Sequence, residues 1–136
     1  FQYQSLNAAR QEIRLLVLQP GCQHCPLRSS LQHDSLRGKL FIGRKSLLGR
    51  PKYETVSYCW GEQRQRRYSM IVVDGKGLQV PKSAAQVLRR LRYVDRSRIL
   101  WIDAVCIDQS NQDEQAQQVA LMGEIYSQSV QTMIEL

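Results

Sequence analysis

Three groups of side chains in this sequence have the types and spacing for chemistry. The first is Cys22-Gln23-His24-Cys25 with His33 downstream. Two thiols two residues apart, with imidazoles nearby, hold enough ligand types for a zinc ion. No second CxxC follows and the ligand order fits no zinc-finger spacing, so free thiols in a loop are the plainer expectation. The second group is Cys59-Trp60-Gly61-Glu62, and the third is Cys106-Ile107-Asp108-Gln109 with Glu114 beyond it. An aromatic ring that can stack on a flat ligand, beside carboxylates that accept hydrogen bonds from hydroxyls, suits a nucleotide-like ligand. Asp103 stands apart, inside the apolar run Ile99 to Ile107. A carboxylate there costs several kcal/mol, roughly, unless it is paired. The alternative is structural: Trp60 and Trp101 as core aromatics, Asp103 anchoring the Trp60 loop through backbone N–H groups, and Asp108-Gln109 preparing a helix start. A Gly-rich phosphate loop, a Ser/His/Asp set and an HExxH motif are absent. A Cys/His nucleophile pair would have to draw on Cys22, Cys25, Cys59 or Cys106 with His24 or His33, and nothing in the pattern orients one.

These groups need elements to hold them. Ile99 to Ile107 is apolar, β-branched and aromatic between a charged lead-in, Asp95 to Arg98, and a polar exit, which predicts an interior parallel strand buried on both faces. Glu54 to Trp60 predicts another strand, with Ser57 and Cys59 on one face and Tyr58 and Trp60 on the other. Glu12 to Gln19 predicts a strand closed by the Pro20-Gly21 turn, residues 22–37 a polar loop, Lys39 to Gly43 a short strand, and Leu48 to Lys52 a connector. Asp74-Gly75-Lys76-Gly77 sits between two apolar runs and predicts a hairpin. Ser83 is expected to cap a helix with Ala84, Val87, Leu88 and Leu91 inward and Arg89, Arg90 and Arg92 outward. A second helix is expected to open at Ser110 with Asp113 in a capping box, burying Ala116, Val119, Ala120, Met122, Gly123 and Tyr126 and turning its glutamines to water. Val130 to Leu136 closes as a strand. From residue 54 on, strand and helix alternate as in a parallel α/β sheet, to whose edge the amino-terminal strands add.

Composition bounds the rest. A chain of 136 residues with 43% hydrophobic residues supports one domain with a real core and excludes disorder over most of its length. No apolar run approaches the ~18 residues of a membrane span. The polar start, Phe1 to Arg10, lacks a secretory leader and an initiating Met, as in a piece of a longer protein. The net charge of +7 invites nucleic acid, yet the arginines are dispersed without interleaved aromatics, which favours a solvated basic surface. Four cysteines in a chain with an adequate core point to a reducing compartment rather than a secreted disulfide framework.

Four ordered blocks resemble a known family. Glu12-Ile-Arg-Leu-Leu16 with Pro20-Gly21, Tyr53-Glu-Thr-Val-Ser-Tyr-Cys-Trp-Gly-Glu62, Leu100-Trp-Ile-Asp-Ala-Val-Cys-Ile-Asp-Gln109, and Glu114 through Gln118-Val119 with Met122 and Ile125-Tyr126 look like a fungal heterokaryon incompatibility (HET) domain. The likeness runs from about residue 12 to the end, making 1–136 a single domain with 1–11 as an extension. It departs at Asp108, where the family often has Asn, at Gln115, where Arg is common, and in the Cys/His loop. The resemblance implies a cytoplasmic module that triggers cell death when genetically unlike hyphae fuse, working by assembly with itself or with other regions of a larger parent protein. The family is held to be distantly related to TIR domains, and Tyr53 to Tyr58 resembles their first strand. That implies a TIR/flavodoxin-like central parallel sheet flanked by helices, with added amino-terminal strands and an inserted β-hairpin. Some TIR domains cleave NAD, so the resemblance also implies NAD as a candidate substrate. Its expected contacts are Tyr58, Trp60, Glu62, Asp103, Asp108 and Gln109, with Glu62, Asp108 or Glu114 as the carboxylate that stabilises an oxocarbenium-like centre. The TIR catalytic glutamate follows a later strand, so if Val130 to Leu136 is the third sheet strand, its counterpart falls beyond residue 136.

Overall fold

The computed structural model describes residues 1–36, 52–59 and 67–135. Its axis is β1 (Glu12–Leu18), whose apolar residues at both strand parities are buried, so the strand has core on both faces. After a 3-10 turn at Ala8–Arg10 and β1 come β2 (Arg28–Ser35), β3 (Glu54–Tyr58), β4 (Tyr68–Val73), β5 (Lys76–Pro81), α1 (Lys82–Leu91), β6 (Arg98–Ile102), α2 (Asp103–Cys106), α3 (Gln112–Ser127) and β7 (Thr132–Glu135). Among the described residues the strands form one seven-stranded sheet in the order β5-β4-β2-β1-β6-β3-β7.

The fold is α/β, but the sheet is mixed rather than parallel throughout. β6, β3 and β7 run parallel, and β1 joins the edge of that unit antiparallel to β6, Leu16 opposite Leu100. The β4–β5 hairpin pairs through β4 with β2, Arg28 opposite Val72 and Ser29 opposite Val73, and so forms the far edge of the same sheet. Its turn needs left-handed backbone at two positions, supplied by Asp74 (φ 51°) and Gly75 (φ 79°).

Four expectations change. Residues 28–35 lie within the segment expected to be a loop, yet they form β2, fully laddered to β1 from Leu18↔Ser29 to Glu12↔Ser35. Its sequence RSSLQHDS carries almost no apolar alternation, so backbone pairing and not patterning makes the strand. The run Ile99 to Ile107 does not stay extended. It breaks after Ile102 into the one-turn α2, since an apolar run alone does not separate a strand from a buried helical turn. Pro81, without a side-chain cap, precedes α1 in place of Ser83. Asn111 caps α3 in place of Ser110, its side chain accepting from Glu114 N, and Ser110 Oγ donates instead to Asp108 Oδ1 at 2.7 Å.

The helix faces divide likewise. Ala84, Val87, Leu88 and Leu91 are buried as expected. Arg92, expected outward, is 8% exposed, because the chain turns inward at the end of α1 and its guanidinium meets loop carbonyls. In α3 the buried residues are Glu114, Gln118 and Ile125, while Val119 is 60% exposed and Ala116, Ala120 and Gly123 face solvent; only Met122 and Tyr126 of the expected stripe pack partly against the core. The inward polar pair does specific work: Gln118 Nε2 donates to Glu12 O at 3.0 Å, and Glu114 meets Arg14. The strand expected at Lys39 to Gly43 and nearly all of the Leu48 to Lys52 connector lie outside the described residues.

Candidate functional site

The carboxyl ends of β3 and β6 lie side by side, Val56 opposite Ile102, so the residues that follow both strands emerge at one end of the sheet. On β6, Trp101 is fully buried and meets Tyr126 edge-on, ring centroids 6.1 Å apart. Asp103 follows as the first residue of α2, half-buried at the strand exit rather than inside the strand. A carboxylate beside the amino terminus of a helical turn is electrostatically favoured, which lowers the cost of its position. Burial chiefly, and Asp103 beside it, push the Tyr126 phenol above its ordinary range.

Gln109 ties this corner together. Its Nε2 donates to Asp103 O at 2.8 Å and to Ile107 O at 3.3 Å, and its Oε1 accepts from Gln115 Nε2 at 2.8 Å. Between the α2 exit and α3 lies a groove of about 590 Å³ whose walls include Asp103, Ile107, Gln109, Ala116, Val119 and Met122. It offers an apolar floor, one carboxylate and amide donors. Among the described residues that line the groove none is Arg or Lys. Asp108 lies elsewhere, in an open depression of about 550 Å³ at the start of α3, where its Oδ1 accepts from Ser110 N at 3.1 Å.

Glu114 is turned inward. Its Oε1 accepts from Arg14 Nη2 at 2.7 Å, and its Oε2 from Arg14 Nη1 at 2.8 Å and from Asp108 N at 2.6 Å. Arg14 is 1% exposed and also donates to Cys106 O at 3.1 Å and Gln4 O at 2.7 Å, under the Tyr3 ring whose hydroxyl donates to Val105 O at 2.7 Å. This clamp joins the amino-terminal segment, β1, α2 and α3. The expected set did not include Arg14. Its signal was there, an arginine in the apolar run of β1 that must find a buried acid.

Tyr58 ends β3 half-buried, opposite Glu135 of β7, whose carboxylate lies 3.4 Å from Arg90 Nη2. Glu135 is a strand-exit carboxylate that the sequence reading passed over. Trp60, Gly61 and Glu62 lie outside the described residues. The structure thus brings Asp103 and Gln109 into one groove, sets Asp108 and Glu114 apart from it, and sets Tyr58 beside Glu135.

The cysteines answer the thiol and zinc expectations. Cys22 and Cys25 are bonded to each other, so neither is a free thiol or a thiolate ligand here. His33 sits on β2, 3.7 Å from Glu12. Cys106 is fully buried, and burial pushes its thiol up to about 12, which makes it inert as a nucleophile. Among the described residues no three His, Cys, Asp or Glu side chains gather as metal ligands, and no helix is long and apolar enough to cross a membrane.

Residues 53–136 match the family model described as heterokaryon incompatibility protein (HET). The chain is 34% identical over 97 residues to heterokaryon incompatibility protein 6, OR allele, of Neurospora crassa, an alignment covering 63% of this chain and 14% of that protein. The chain thus spans a small fraction of that relative's length. No solved structure matches it. The matched span contains β3 to β7 with the three described α-helices, and on that ground the chain belongs to the heterokaryon incompatibility (HET) family.

Proposed function

We propose that this chain is the effector module of a fungal incompatibility protein, a cytoplasmic unit that triggers cell death in non-self recognition by assembling with its own copies or with other regions of a longer parent. The observation that carries the reading is the family match over 53–136, the span that builds the whole parallel unit. Two features support the mechanism. The β6-β3-β7 order is that of the first three strands of a flavodoxin-like sheet, as in a TIR-like arrangement. The solvent face of α3 presents Ala116 and Val119 among glutamines, a surface that assembly could cover. The test is induced expression in a filamentous fungus of the parent chain and of Val119→Glu, alongside sedimentation at rising concentration. Death and concentration-dependent association, both weakened by Val119→Glu, support the reading. A chain that stays monomeric at every concentration and salt, or kills equally with Val119→Glu, refutes assembly through this face.

NAD cleavage is the second reading, favoured by Tyr58 and Glu135 at the strand exits where the parallel order reverses. NAD would be the substrate, with Glu62 or Asp108 as the carboxylate, since Glu114 has both oxygens committed to Arg14. Nicotinamide release at high protein concentration that disappears in Glu62→Ala or Asp108→Ala with an unchanged melting temperature supports it; no release from a longer chain that still assembles refutes it. Nucleic-acid binding has less behind it, because Arg14, Arg92 and Arg98 are spent on internal partners.

A further inference from the structure

We propose that Cys22 and Cys25 form a thiol–disulfide exchange site for a dithiol reductant with an acidic docking face, rather than a fixed staple. The bond spans Cys22-Gln-His-Cys25, in the connection between β1 and β2. That connection does not need it. The ladder holds the chain ends together from Leu18↔Ser29, and Gln19 N donates to Arg28 O at 2.9 Å. A ring this short also removes little chain entropy from the unfolded state.

The surroundings favour exchange. Cys22 is exposed and Cys25 half-buried, so an incoming thiolate reaches the Cys22 sulfur first. Arg92, 8% exposed at the end of α1, donates through Nη2 to Cys25 O at 3.0 Å and also to Cys22 O, and through Nη1 to Pro26 O at 2.9 Å. Arg89 Nη1 donates to Cys25 O at 3.0 Å. Among the described residues the hydrogen-bond partners of Arg92 are loop carbonyls and not carboxylates, so its charge acts on the loop. Burial first, and then Arg89, lower the Arg92 pKa. A cation beside a departing sulfur stabilises the thiolate and speeds exchange. The loop is shaped to this guanidinium: a Cβ on Gly21 would come within 2.9 Å of Arg92 Nη1. Next to the disulfide, a depression of about 590 Å³ is lined, among the described residues, by Gln23, His24, Arg89 and Arg90, of which Arg90 also pairs with Glu135 and Arg89 does not. It complements an acidic partner face.

In the exchange, one thiolate of the reductant attacks Cys22 Sγ, the Cys22–Cys25 bond breaks and Cys25 leaves as a thiolate that takes a proton. The reductant's second thiol, as thiolate, then attacks its own sulfur in the mixed disulfide and releases Cys22. Two electrons and two protons pass to the loop, and the reductant ends as a disulfide. Cys106, buried and inert, does not compete.

The test uses the chain with Cys59→Ser, dithiothreitol or glutathione as reductant, and counts alkylated thiols by intact mass without denaturation. The expected result is no label when oxidised, two labels after brief native incubation with dithiol, and return to none with oxidised glutathione. Alkylation of the reduced pair at neutral pH should run about tenfold faster than in the free peptide Cys-Gln-His-Cys and fall several-fold in Arg92→Gln, with Arg92→Lys restoring part of it. Should Arg92→Gln not fold, the exposed Arg89→Gln gives the same comparison in smaller measure. A pair that stays oxidised in excess dithiol until the protein is denatured, or reduced thiols no faster than the peptide and indifferent to Arg89→Gln, overturns the proposal.

Discussion

Glu114→Gln is the sharpest perturbation available, because it separates a structural clamp from a catalytic acid. The Arg14–Glu114 pair is closed to solvent, with side chains 1% and 7% exposed. The carboxylate accepts three N–H groups, two from Arg14 and one from Asp108. A glutamine retains one acceptor oxygen and turns an NH2 group toward a donor, leaving the Arg14 charge with backbone carbonyls alone. Breaking one side of a buried pair costs about 3–5 kcal/mol, a large part of the roughly 5–15 kcal/mol that holds a domain folded. For a chain of this size that lowers Tm on the order of 10–20 °C. Arg14→Met combined with Glu114→Met removes both charges and should recover most of the loss, because the penalty comes from the unpaired ion more than from the missing attraction. Urea and thermal unfolding of Glu114→Gln, and of the four-member cycle of parent, Arg14→Met, Glu114→Met and their double, read this directly. A Glu114→Gln Tm within about 3 °C of the parent, or a double variant as unstable as the sum of its singles, would refute the clamp. Activity lost at unchanged Tm would make Glu114 a chemical group instead.

Glu54 and Arg98 form a second, less buried pair, Oε1 to Nε at 2.7 Å, and the Arg98 hydrogen bonds hold the Glu54 carboxyl below the usual range. A folded-state value below the unfolded one means the contribution is complete above the unfolded pKa, about 4.3, and is lost as pH falls through the folded value; the gap in stability between the parent and Glu54→Gln should close on acidification from pH 6 to 3, and a constant gap in urea titrations counts against it. Ile125 is fully buried and Val119 60% exposed, so Ile125→Ala should cost about 2–5 kcal/mol and Val119→Lys under about 0.5 kcal/mol; equal costs would restore the stripe expected from sequence. Gly75 carries φ 79° with nothing within 4 Å of an added Cβ, and Gly75→Ala should cost about 1 kcal/mol through the backbone alone, an unchanged unfolding midpoint being the contrary result.

How much could be read from sequence follows from what each signal measures. The hairpin, α1 and the apolar part of β6 were legible because turn chemistry and apolar periodicity report them: Asp74-Gly75 supplies positive φ, and Ala84, Val87, Leu88 and Leu91 recur at helical spacing. β2 was not legible, since Gln32, His33 and Asp34 gain strand geometry only from the ladder to β1. The end of β6 was not legible either, because Ala104, Val105 and Cys106 are as buried in a helical turn as they would be in a strand.

The inward face of α3 was missed for a related reason, and it bears on the site. Apolar spacing assigns Glu114 and Gln118 to solvent, while the fold uses them to meet a buried guanidinium and a strand carbonyl. Arg14 and Glu114 each look costly alone and become intelligible only as a pair 100 residues apart, a separation that no local pattern spans. The same logic sorts the carboxylates. Glu114 is held by Arg14, Asp108 is engaged by Ser110 and Glu135 is paired with Arg90, and Asp103 and Glu135 stand at the exits of parallel strands, where open sheets bind ligands. An acid that a fold has already satisfied must break that partnership before it can react, so chemistry at this end of the sheet costs less at Glu135, whose partner Arg90 is 55% exposed, than at Glu114, whose partner Arg14 is 1% exposed.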